Sequence, residues 1–200
     1  YTDPNVYTFN VTIENASGCS ISYSNTYEVE AECDPCNEQN NLTLNPSFEF
    51  YNISNTCPDT LGQIELTDFW DSPLGDPSAF NTCAGLSGNV GVPINLKGAQ
   101  AARTGNGYAG ISVYSDDGNG NMDATANQFI TGQMVTPTQP GTTYCVKFYA
   151  SLADNSSYAI DEMSMFFSNG LPPDFSPELI DYTPEIQNRN FFVLSNKNGW

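Results

Sequence analysis

The chain has 200 residues, with 5 Lys and Arg against 23 Asp and Glu and no His, for a formal charge of −18. That balance excludes a nucleic-acid backbone as partner, which needs a basic surface, and argues against docking on anionic lipid. The missing His removes every Ser-His and Cys-His nucleophile pair.

The length suits one large β domain, or one domain plus a fragment. No run is long and apolar enough to insert in a membrane, and no signal peptide is visible. The chain opens mid-pattern at Tyr1, which reads as a mature or excised piece of a longer protein. Six cysteines, at 19, 33, 36, 57, 83 and 145, point to an oxidising compartment. No window carries a convincing amphipathic helix. Gly, Pro, Asn, Ser and Thr break the chain at short intervals, which predicts an all-β sandwich or barrel. The acidic, Lys-poor surface fits an extracellular setting rich in Ca²⁺, and it fits solubility alone.

In chain order, residues 6–33 come first. Tyr7, Phe9, Val11 and Ile13 alternate with polar residues, a turn follows over Glu14 to Gly18, and a second strand pattern runs through Tyr27, Val29 and Ala31. Period-two alternation predicts a hairpin. A lone hairpin is barely stable in water, so it needs the following domain or strands from elsewhere. Residues 33–41, CDPCNEQNN, have the composition of a boundary. The predicted units are therefore 1–34, a linker at 35–41, and 42–200. The spacing of Cys33 and Cys36, with no His and no second such pair, does not by itself make a zinc site. Cys19 is expected to bridge to Cys33 or Cys36.

In the second unit, Cys57 and Cys83 lie in loops after strand-like segments and are expected to pair, closing a loop of about 25 residues. Arg103, in the turn before the strand at 108–114, is expected to pin that turn through a carboxylate. The stretch Asp117-Gly-Asn119-Gly-Asn121-Met-Asp123 sets side-chain oxygens at alternate positions, the spacing of calcium loops. It lacks the closing Glu of an EF-hand, since Gln128 stands there, and it reads equally as an Asn/Gly hairpin tip. Residues 142–167 predict two strands around the polar loop Ala153 to Ser157, with Cys145 as a buried thiol inside the first strand. Acidic residues are so abundant that chance carboxylate pairs carry no glycosidase signal, and no enzyme activity is expected.

Several words, in this order, carry a resemblance: the opening NLTLNPSFE at 41–49, Cys57-Pro58, GQIE at 62–65, Phe69-Trp70, Phe80-Asn81, GVP at 91–93, ARTGNGYAG at 102–110, and YCV through SLAD at 144–154. Together they resemble a jelly-roll, carbohydrate-binding-module-like domain of surface proteins of Bacteroidetes, the gliding and type IX-secreted kind. Residues 6–33 resemble the last two strands of an immunoglobulin-like repeat of the polycystic-kidney-disease kind. The resemblance implies a jelly-roll β-sandwich preceded by a partial immunoglobulin-like module. It implies a non-catalytic structural or adhesive part of a large cell-surface protein. The alternative is a carbohydrate-binding module of a secreted glycoside hydrolase. Partners would be neighbouring modules of the same chain or filament, and cell-surface or environmental glycans. Such modules often hold a structural Ca²⁺ near the opening strand, which implies Glu49, with Asp161 as the matching partner-strand residue. Sugar binding in them depends on exposed aromatics; Trp70 and Phe80, in turn-rich sequence, are the candidates, with core packing as the competing role. Such modules continue beyond an Asn-Gly-Trp motif, whereas this chain stops at Trp200, so a truncated sheet is expected.

Overall fold

The computed structural model describes residues 5–14 and 20–29 by their backbone, and residues 40–51, 56–85, 88–115, 127–170, 183–188 and 193–200 in full. It divides into two compact units: Tyr1–Asn40 with Thr143–Lys147, and Asn41–Thr142 with Phe148–Trp200. The described structure is strand-based, and its helical pieces in the second unit include two single 3₁₀ turns, Ile64–Leu66 and Thr82–Ala84. Among the described residues, no helix is long and apolar enough to cross a membrane.

In the first unit, β1 (Asn5–Glu14) and β2 (Ser20–Val29) pair antiparallel from Asn5↔Val29 to Glu14↔Ser20. The register puts Tyr7 opposite Tyr27, Val11 opposite Tyr23 and Ile13 opposite Ile21 on one face. Thr8 and Thr26, Asn10 and Ser24, and Thr12 and Ser22 take the other. The alternation read from sequence is thus the alternation of the ribbon, because successive residues point to opposite faces of a strand.

The second unit is built from short antiparallel pairs. Strand β3 (Trp70–Asp71) pairs with β8 (Thr131–Gly132), and β4 (Ser78–Asn81) with β7 (Gly107–Gly110). Strand β5 (Ile94–Asn95) pairs with β6 (Gly98–Ala99), and β9 (Ser164–Met165) with β10 (Ile186–Gln187). All four residues of β4 are buried, so this strand is covered on both faces and forms the centre of the unit. Phe80, Val90 and Val92 make the core cluster, with Leu61, Ala84, Ala102 and Tyr108 packed against it. Phe80 and Tyr108 stack with ring centroids 5.0 Å apart.

The hairpin expected over 142–167 does not form. Described residues 142–149 carry no strand, and Ser164–Met165 pairs with Ile186–Gln187 instead. The first half of the stretch is divided between two units, Thr143–Lys147 in one and the residues from Phe148 in the other. Its polar loop is also committed elsewhere. The Asp154 carboxylate accepts the Ala99 amide at 2.8 Å, Asn155 Nδ2 donates to Leu96 O at 2.9 Å, and Lys197 Nζ donates to the Asp154 and Ser156 carbonyls. The flanking backbone then meets the C-terminal segment, through Leu152 N to Asn196 O and the Ile160–Leu194 bridge. Cys145 is corrected as well: it is exposed and disulfide-bonded, not a buried thiol.

Candidate functional site

The site grows from Asn45, which is buried at 6% exposure with φ +49°. Asn tolerates this left-handed conformation better than other non-glycine residues. Its Oδ1 accepts the amides of Glu49 (2.8 Å) and Phe50 (3.2 Å), wrapping the chain around Pro46-Ser47. Its Nδ2 donates to the carbonyls of Phe50 and Asp68, each at 3.0 Å, which joins this loop to the one before β3. The Asn45 carbonyl accepts Trp70 Nε1 at 2.8 Å. Phe48 and Phe69 are also held at positive φ, +58° and +70°, a strained state for a bulky residue. Asn45 therefore organises a strained knot that sets the direction of Glu49.

Glu49 reaches the turn before β7. Its carboxylate accepts the Asn106 amide at 2.8 Å, the Gly107 amide at 3.2 Å and Asn106 Nδ2 at 3.1 Å. Gly105, at φ +65°, lies so close that any Cβ there would collide with the carboxylate. A Cβ on Gly107 would stand 2.8 Å from Asn81 Nδ2 and 2.9 Å from the Phe80 carbonyl. The Gly-Asn-Gly word is thus the imprint of a carboxylate and a core strand pressing on one turn. The expected pinning of this turn by a carboxylate occurs, but through Glu49. Arg103 lies instead over the Tyr149 ring, 3.3 Å from its centroid, a cation–π contact.

Glu49, Tyr51, Cys57, Asn81, Thr82, Cys83 and Asn106 line an open cleft of about 340 Å³. The expected Cys57–Cys83 disulfide is present and makes one wall, with Cα atoms 5.9 Å apart. Asn81 caps the 3₁₀ turn by accepting the Cys83 amide at 2.9 Å, and Thr82 N donates to the Asn106 carbonyl at 3.0 Å.

The Tyr51 hydroxyl is buried and makes no hydrogen bond of acceptable geometry. Burial, reinforced by the Glu49 charge and only partly opposed by the nearby Asn81 amide, pushes its pKa from 10 up to about 12. A folded-state pKa above the unfolded value means that the associated stabilisation is complete below pH 10 and is lost as the pH rises through about 12. Stability should therefore fall more steeply over that window in the wild type than in Tyr51→Phe, measured by urea unfolding at stepped pH. At neutral pH, Tyr51→Phe should match or exceed the wild type by up to about 1 kcal/mol, because it deletes an unpaired buried hydroxyl. A loss in that variant would show that the hydroxyl has a partner after all.

Of the aromatic candidates, Phe80 takes the competing role of core packing, and Trp70 is half-buried. Phe80 is 3% exposed and stacked on Tyr108, so it has no open face for a sugar. Trp70 is half-buried, with its ring 4.4 Å from that of Phe48, its nitrogen bonded to Asn45 and the backbone of Gly132 against its edge. Both stand in turn-rich sequence, but the turns here fold back over the core. The most open phenylalanine among the described residues is Phe50, at 65% exposure.

The metal candidates Asp117, Asn119, Asn121 and Asp123 lie outside the described residues, as do Cys19, Cys33 and Cys36. Asp161 is exposed, and its carbonyl accepts Asn188 Nδ2. No group of three His, Cys, Asp or Glu able to hold a metal gathers among the described residues. The oxygens of Glu49 already take three N–H donors, so a Ca²⁺ there, which needs six to eight oxygens, would have to compete with its own turn.

Sequence reasoning missed Asn45, Tyr51, Asn81, Thr82 and Asn106. Two had local signals: Asn before Pro-Ser as an Asx turn, and Asn before Thr-Cys as a cap. In comparisons with known proteins, no family model, no curated protein and no solved structure matches the chain.

Proposed function

We propose that the chain is a non-catalytic extracellular module of a large cell-surface protein, of jelly-roll build behind a partial immunoglobulin-like unit, which spaces and stiffens its parent and supports adhesion. The observation that carries this reading is the cross-linking of short strands. The Cys57–Cys83 bridge and the Asn45 and Glu49 clamps hold strands of two to four residues that backbone pairing alone would hold poorly. Calcium belongs to the same proposal through the alternating Asp and Asn residues of the sequence at 117–123, the spacing with which calcium loops present their oxygens.

The test is single-molecule stretching between the termini. A tension-bearing module unfolds in discrete steps. The Cys57–Cys83 bridge withholds 26 residues of contour length, or about 90 Å at the reach of an extended chain. The unfolding force should rise in CaCl₂ over EDTA, and Asp117→Ala with Asp123→Ala should cancel that rise. Extension without a discrete step would sink the mechanical reading, and a force unchanged by Ca²⁺ would sink the calcium part of it.

A further inference from the structure

We infer that Asn169-Gly170 is a site of spontaneous succinimide and isoaspartate formation in the folded protein, and that Glu49 holds Asn106-Gly107 out of the same reaction. The inference goes beyond the mechanical reading and stands without it.

The chain has four Asn-Gly steps, at 106, 119, 169 and 198, of which Asn119 lies outside the described residues. Glycine after Asn favours ring closure, because no side chain shields its nitrogen and its backbone turns freely. The glycine amide gives its proton to hydroxide and attacks the Asn Cγ. The new N–C bond closes a cyclic imide, and Nδ2 leaves as ammonia. Water then opens the imide at either carbonyl, giving Asp or isoaspartate and adding a negative charge. Two conditions govern the rate. The amide proton must be open to base, and the side chain must be able to swing its Cγ onto the glycine nitrogen.

Both conditions fail at Asn106. The Glu49 carboxylate accepts the Gly107 amide at 3.2 Å and Asn106 Nδ2 at 3.1 Å. One carboxylate thus holds the nucleophile and the leaving group, and its charge opposes loss of the amide proton, which would set a second anion beside it. Gly107 is also buried and paired with Asn81 across β4 and β7, which fixes the backbone that ring closure must turn.

Both conditions are met at Asn169. Asn169 and Gly170 are exposed and lie outside the strands. Among the described residues, neither the Asn169 side chain nor the Gly170 amide finds a hydrogen-bond partner. Ser168 Oγ donates to the Gly170 carbonyl, which takes no part in the closure. Gly170 stands at φ +93° with nothing within 4 Å of the place a Cβ would take, so base and side chain both reach its nitrogen. Asn198 is intermediate. It is exposed, but its amide donates to Asn196 Oδ1 at 3.0 Å and the Gly199 carbonyl accepts Asn196 Nδ2 at 3.1 Å, which holds the backbone on both sides of the step.

The experiment is peptide mass spectrometry on the full chain, incubated in mildly alkaline buffer with and without guanidinium chloride. Each step's folded rate is divided by its own unfolded rate, so that sequence effects cancel. Asn169 should react in the folded chain within about threefold of its unfolded rate and yield both Asp and isoaspartate, whereas Asn106 should fall at least about tenfold below its own. Glu49→Ala, kept below its melting midpoint, should raise the Asn106 rate at least about tenfold. Suppression of Asn169 as strong as that of Asn106, or Asp as its sole product, would overturn the site. An Asn106 that reacts freely in the folded wild type, or whose rate is unchanged in Glu49→Ala, would overturn the role of Glu49.

Discussion

Replacing Asn45 by Ala should lower the unfolding free energy by about 3–5 kcal/mol, read from urea denaturation with an unchanged slope. The side chain makes four hydrogen bonds, two accepted from Glu49 and Phe50 and two donated to Phe50 and Asp68. Ala leaves all four backbone groups without this partner in a part-buried setting. It also places a Cβ-bearing residue without a compensating side chain at φ +49°. Asn45→Gly separates the two contributions. It removes the same bonds but relieves the backbone, so it should be about 1 kcal/mol more stable than the Ala variant. Loss of the hub also frees Phe48 and Phe69 from their positive φ and releases Glu49 from the turn at 105–107. A change below about 1 kcal/mol would mean that water replaces Asn45 at little cost, and that the knot is set by the packing of Phe48 on Trp70 instead.

The second large effect is expected at the disulfide. Cys57→Ala with Cys83→Ala opens a loop with a sequence separation of 26, which loop-closure entropy values at about 3 kcal/mol. For a chain of this size that corresponds to a fall in melting midpoint of about 6–12 °C. The double variant is the cleaner probe than a reductant, since Cys145 is disulfide-bonded too and would be reduced at the same time. A calorimetric midpoint within a degree or two of the wild type would show that the neighbouring bonds, Asn81 to Cys83 N and Thr82 N to Asn106 O, already confine the loop.

The sequence by itself determined what depends on local periodicity and local chemistry. Tyr7, Phe9, Val11 and Ile13 specified β1 and its partner, because a period of two has one meaning in a strand, and the observed register keeps it. Cys57 and Cys83, each in a turn-rich segment, specified their bridge. Tertiary structure decided whatever depends on a distant partner. The alternation at 142–149 suits a strand, but alternation does not name a partner, and the loop at 153–157 is held by Ala99, Leu96 and Lys197 rather than by a hairpin. Phe80 and Trp70 stand in turn-rich sequence. Their exposure follows from which strands close over them, β7 for the first and β8 for the second. The resemblance implies Glu49 as a metal ligand. Its role as the clamp of Asn106 and Gly107 rests on a contact 57 residues away along the chain, a separation over which no local pattern carries information and only the folded packing brings donor to acceptor.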